Sequence, residues 1–83
     1  MTDIINIDTE AEAMIEAVLG NRQMGYIADV EDIFSQHPQT TGRQYSADPP
    51  RFPKPIFNGS RRAWTRATLK DELIRRMTNT KAA

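Results

Sequence analysis

Apolar residues recur at helical spacing near the start of the chain. Ala11, Met14, Ile15, Val18 and Leu19 fall on the i, i+3, i+4, i+7, i+8 stripe of an amphipathic helix. The pattern predicts that this helix starts near Asp8 or Thr9, with residues 1–7 loose. Thr9 and Glu12 have capping-box spacing, and Gly20-Asn21 supplies a left-handed stop. Arg22 to Gly25 reads as a loop. A second stripe, Ile27, Val30, Ile33 and Phe34, predicts a short helix over Ala28–Gln36, ended by His37-Pro38, because the residue before a proline is pushed out of helical geometry. Gln39–Ser46 then reads as a polar third helix capped near Gln39 or Thr40, with Gly42 costing it about 1 kcal/mol relative to alanine. Pro49, Pro50, Pro53 and Pro55 exclude a helix over Asp48–Pro55, which is expected to cross the surface extended. Ile56-Phe57, an Asn58-Gly59 turn and Ser60–Trp64 predict a β-hairpin, Asn-Gly being the pair that takes positive φ at both central positions. Thr65 caps a last helix over Arg66–Met77 with Leu69, Leu73, Ile74 and Met77 as its apolar stripe.

At 83 residues the chain is expected to be one small domain, too small for a large catalytic pocket. Its scarce aromatics, Trp64, Phe57, Phe52 and Phe34, are expected to form the core. Cysteine is absent, which excludes disulfides and thiolate metal sites and suits a cytoplasmic protein. No apolar run approaches the roughly 18 residues of a membrane span, and the acidic start has the wrong sign for a signal peptide. His37 is the only histidine, so neither a zinc site nor a Ser-His-Asp arrangement with Asp32 and Ser35 has support. The four glycines are scattered and form no phosphate loop. Neither an enzyme nor a cofactor is expected.

Charge sharpens the picture. Residues 1–38 hold eight carboxylates against Arg22 alone, whereas residues 39–83 hold ten lysines and arginines against three carboxylates. A net charge of zero therefore hides a split that predicts a polyanion-binding face opposite an acidic one. Two segments could supply that face. The third helix presents Gln39, Thr40, Thr41, Arg43, Gln44 and Tyr45, side-chain types that read base edges in a major groove. The hairpin offers Asn58, Ser60, Arg61 and Arg62, with Lys54 before it and Arg66 after it, suited to phosphates or a minor groove. Arg61 and Arg62 are adjacent on a strand, so they are expected to point to opposite faces.

The run Phe52-Pro53-Lys54-Pro55-Ile56-Phe57-Asn58-Gly59-Ser60-Arg61-Arg62-Ala63-Trp64-Thr65 resembles the wing of the AlpA-like and excisionase-like (MerR-type) winged-helix proteins of phages and mobile elements. Tyr26 to Phe34 is similar to the first helix of that family, so the resemblance spans residues 26–77. Gly42 inside the third helix and Pro49-Pro50 before Phe52 depart from the family pattern. The resemblance implies a mainly α fold with one β-hairpin, a winged helix-turn-helix over 26–77; outside it the residues read as an acidic extension over 1–25 with an amphipathic helix that the minimal family fold lacks, and a disordered tail over 78–83. It further implies sequence-specific binding to double-stranded DNA, as an excisionase (a recombination directionality factor), a transcriptional regulator, or both. An integrase or other recombinase is then an expected partner, with self-association through cooperative binding or the first helix. A small-terminase DNA-recognition domain, and a protein-binding adaptor or inhibitor that uses the acidic helix, are the alternatives.

Overall fold

The computed structural model describes residues 4–82. Its elements are α1 (Ile4–Leu19), β1 (Met24–Tyr26), α2 (Ile27–Phe34), α3 (Pro38–Ser46), β2 (Ile56–Asn58), β3 (Arg61–Thr65) and α4 (Arg66–Ala82). The protein is mainly helical, with a small antiparallel sheet in the order β1-β3-β2.

α1 begins at Ile4, a turn earlier than the Thr9–Glu12 capping pattern predicts; residues 1–3 of the expected loose start lie outside the described residues. Ile7 explains the extension, because it adds a buried contact one turn before Ala11. The buried seam is Ile7, Ala11, Ile15 and Leu19 at strict four-residue spacing, with Val18 packed beside it. Met14 leaves the predicted stripe and is 42% exposed. The seam packs on α4 and α2 of the same chain.

The expected loop before α2 contains a strand. Met24, Gly25 and Tyr26 pair with Thr65, Trp64 and Ala63, so the predicted hairpin is two strands of three. Gly25 makes this possible: a Cβ there would lie 2.7 Å from Leu69 Cδ1, so α4 rests directly on the backbone of β1. α2 stops at Phe34, where Ser35 turns left-handed with φ 54°. His37, rather than Gln39 or Thr40, caps α3, its Nδ1 accepting from the Gln39 N–H at 3.0 Å, with Pro38 in the first turn. A proline there is pre-set for a helix and lacks the N–H that would go unpaired. Thr65 caps α4 as predicted, its Oγ1 accepting from the Thr68 N–H at 3.2 Å. The helix then runs through residues 78–82, beyond the Met77 end read from the pattern.

The hairpin turn sits one residue later than predicted. Asn58 pairs with Arg61, Phe57 with Arg62 and Ile56 with Ala63, leaving Gly59-Ser60 as the turn. Gly59 has φ 68°, whereas Asn58 does not enter the left-handed region. A two-residue turn with glycine first needs positive φ at that position only, which frees Asn58 for the strand.

Three of the four predicted core aromatics pack together. The Phe52 ring meets Phe34 edge-on at 5.3 Å and Trp64 at 5.6 Å, and Trp64 meets Tyr45 at 6.2 Å. Trp64 Nε1 donates to the Pro53 carbonyl at 2.7 Å, which pins the proline-rich crossing to the sheet. Phe57 is the exception. It lies on the edge strand, past the end of the core, and is 65% exposed.

Candidate nucleic-acid interface

Strand alternation sends Arg61 and Arg62 to opposite faces, and each meets a tyrosine. The Arg61 guanidinium lies 3.8 Å over the Tyr26 ring, whose hydroxyl accepts from Asn58 Nδ2 at 2.8 Å. Arg62 Nη1 donates to the Tyr45 hydroxyl at 3.2 Å, and Tyr45 itself packs on buried Trp64. Both cationic heads are thus oriented from within the fold, which reduces the side-chain entropy lost when such a group binds an anion. Ser60, next to Arg61 in the chain, and Lys54 are exposed.

α3 divides its polar residues between two faces. Gln39, Arg43 and Ser46 are exposed, and Thr40 and Gly42 are half-buried. Gly42 faces the hairpin, because the nearest atom to a Cβ there would be Arg62 Nη1 at 3.9 Å. Three predicted readers, Thr41, Gln44 and Tyr45, turn inward. Thr41 is fully buried and its hydroxyl accepts from Gln36 Nε2 at 2.6 Å. Gln44 Oε1 accepts from Gln36 Nε2 at 3.2 Å and from Arg76 Nη2 at 3.1 Å. With 3.6 residues per turn, positions 41, 44 and 45 share the inner side while 39, 43 and 46 share the outer.

Arg66 is likewise engaged within the domain. Its guanidinium donates to Glu12 at 2.7 Å, to Glu16 at 2.9 Å and to the carbonyls of Gly20 and Arg22. Lys70 joins Asp8 at 3.1 Å and Glu12 at 3.2 Å. The acidic N-terminal half and the basic C-terminal half therefore meet along the α1–α4 seam and do not form two opposed faces. The Arg66 hydrogen bond, followed by that of Lys70, holds the Glu12 carboxyl below its ordinary pKa, while Asp8, followed by Glu12, raises that of Lys70. Glu72 has a second such cluster. Burial pushes its carboxyl up, but hydrogen bonds from Arg75 and Arg76 outweigh burial and leave it lowered.

Once these pairs are assigned, Arg43, Arg51, Lys54, Arg61 and Arg62 make no ion pair among the described residues. Arg43, Arg51, Lys54 and Arg62 lie on and around α3, while Arg61 points to the opposite face of the hairpin, over Tyr26. Arg62 stands against the Gly42–Tyr45 side of α3. On its Gln44 side, Arg51, Lys54, Arg75 and Arg76 line an open groove of about 780 Å³ between the proline-rich crossing and α4. The residue pattern singles out Lys54 but misses Arg51, Arg75 and Arg76. The Trp64–Pro53 bond folds the crossing back, and the Arg51 N–H, donating to the Gln44 carbonyl at 2.8 Å, fixes Arg51 in this groove.

No helix among the described residues is long and apolar enough to cross a membrane. No family model matches the chain, and no curated protein or solved structure does so either.

Proposed function

We propose that the protein is a sequence-specific binder of double-stranded DNA, built as a winged helix-turn-helix in which α2 and α3 form the reading unit and β2–β3 the wing. The observation that carries this reading is that Arg43, Arg51, Lys54, Arg61 and Arg62 make no ion pair among the described residues, with Arg43 on the outer side of α3, Arg62 against one side of it and Arg51 and Lys54 in the groove on the other. A helix lying in a major groove is bordered by two phosphate backbones, and cations on both of its sides suit that arrangement. Exposed Gln39 and Arg43 have the donors and acceptors to read base edges. Such a protein positions or bends DNA and carries out no covalent step itself. Asp8, Glu12 and Glu16 are occupied by Lys70 and Arg66, which weighs against α1 as an acidic adaptor surface.

The resemblance of residues 52–65 to excisionase-like wings is the basis for the proposed biological role: a recombination directionality factor, a transcriptional regulator, or both, with an integrase as partner. Footprinting on DNA flanking the protein's own gene tests it, with protection of adjacent direct repeats as the expected result. An integrase-dependent excision assay on the protected DNA then separates the excisionase role from regulation alone. Absence of protection at any concentration that saturates non-specific binding would remove the reading.

A further inference from the structure

Phe57 is a large aromatic that the core does not use. It is 65% exposed on β2, two residues before the turn. Its cross-strand partner is Arg62, so both side chains stand on the same face of the sheet. Arg62 reaches Tyr45 of α3, which makes this the α3-facing side of the hairpin. Ile56, also exposed, pairs with Ala63 and faces the other way, so the two residues do not merge into one apolar patch for a flat protein partner. Arg62, which makes no ion pair among the described residues, is thus the cation beside the Phe57 ring, while Arg61 lies on the opposite face over Tyr26.

An exposed aromatic ring beside an arginine that makes no ion pair among the described residues matches a ligand that carries both stacked apolar surface and negative charge. Nucleic acid has that combination: phosphates engage the arginines, and the faces of the bases or deoxyriboses accept the ring. We infer that Phe57 acts as an apolar wedge, entering duplex DNA from the groove beside the hairpin and unstacking one base step while Arg62, on the same face, holds a flanking phosphate. The inference rests on the DNA-binding reading above and adds to it a kink made by one side chain. Docking Arg61 on Tyr26 and Arg62 on Tyr45 stiffens the hairpin on both faces, as a wedge requires, since a flexible arm would bend away before the bases separated. Side chains of this type, inserted between base steps, kink duplexes by about 20–90°.

The test uses duplexes of about 30 base pairs that the full-length protein selects from a randomised pool, carrying end dyes for bending and 2-aminopurine at successive steps for unstacking. Wild type should bring the ends closer and brighten 2-aminopurine at one step. Phe57→Ala should keep the wild-type melting temperature, because the ring is exposed, and should still saturate the duplex. It should lose both signals and bind the selected duplex about tenfold more weakly. Phe57→Leu should keep part of the bend. Equal bending and unstacking by wild type and Phe57→Ala would overturn the wedge and leave DNA binding intact. So would a free wild-type dimer in sedimentation that Phe57→Ala dissolves with bending unchanged, since the ring would then cover a second copy. Failure of the wild type to bind any duplex would instead remove the DNA-binding reading itself.

Discussion

Arg43, Arg62 and Arg66 are all arginines of the basic half of the chain, yet their surroundings assign them different work. Arg43 is exposed on the outer side of α3, Arg62 is oriented by Tyr45, and Arg66 is held by two carboxylates and two carbonyls. Arg43→Ala should cost about 1–3 kcal/mol on a cognate site and much less on random DNA, because base edges differ from site to site. Arg61→Ala and Arg62→Ala should weaken both by similar factors, since phosphates repeat along any duplex. Arg66→Ala should lower the melting temperature and leave the affinity of the folded fraction unchanged. Anisotropy titrations on the two DNAs, with a thermal melt of each variant, check all four. The opposite directions of Arg61 and Arg62 were legible in the sequence, because strand alternation needs no tertiary information. The inward turn of Thr41 and Gln44 was not. A helix that is polar all round has no apolar stripe to set its phase, and the partners that satisfy these two, Gln36 and Arg76, are recognised only once the helices are packed.

Among the elements, two glycines make opposite predictions. Gly42 sits in α3 with room for a Cβ, the nearest atom being 3.9 Å away, and its φ is ordinary. Gly42→Ala should therefore stabilise by about 1 kcal/mol, a rise of roughly 4–8 °C in melting temperature for a domain of this size. Gly25→Ala drives a methyl to 2.7 Å from the fully buried Leu69 and should destabilise by about 1–3 kcal/mol. Calorimetry of both variants separates a glycine of habit from one required by close packing. The seam of α1 gives a similar contrast: Ile15→Ala should cost about 2–5 kcal/mol. Met14→Ala, on the exposed side, should stay within about 0.5 kcal/mol. Helices α1, α2 and α4 were legible from period 3.6, as was the hairpin from Asn58-Gly59. Strand β1 was hidden because three residues are too few to show alternation, and its evidence is the register with β3. The hairpin turn was misplaced by one residue because Asn-Gly and Gly-Ser both make two-residue turns. Pairing of Asn58 with Arg61, reinforced by its bond to Tyr26, selects the second.

Across the whole molecule, charge acts in two separate places. One is structural: charge joins α1 to α4 at Glu12, α2 to the segment between α1 and β1 at Asp29, and successive turns of α4 at Glu72, and all three carboxyls have pKa values lowered by arginine or lysine partners. A lowered folded-state pKa contributes stability that is fully present above the unfolded value and is lost as pH falls through the folded one. The reference values are 4.5 for Glu12 and Glu72 and 3.8 for Asp29, so melting temperature should hold down to about pH 5 and decline below 4.5. Glu72→Gln should be less stable at pH 7 and show a shallower acid decline in thermal melts across that range. On α3, the hairpin and the proline-rich crossing, by contrast, five cations make no ion pair among the described residues, and four of them, Arg51, Lys54, Arg61 and Arg62, are proposed to bind DNA phosphates. The most direct measurement is the dissociation constant for duplex DNA across roughly 50–200 mM salt, for wild type and for Arg62→Ala. Wild type should give a slope of log K against log salt of about −4, and Arg62→Ala a slope about one unit shallower. A flat wild-type slope, or an Arg62→Ala slope equal to that of wild type, would contradict the claim.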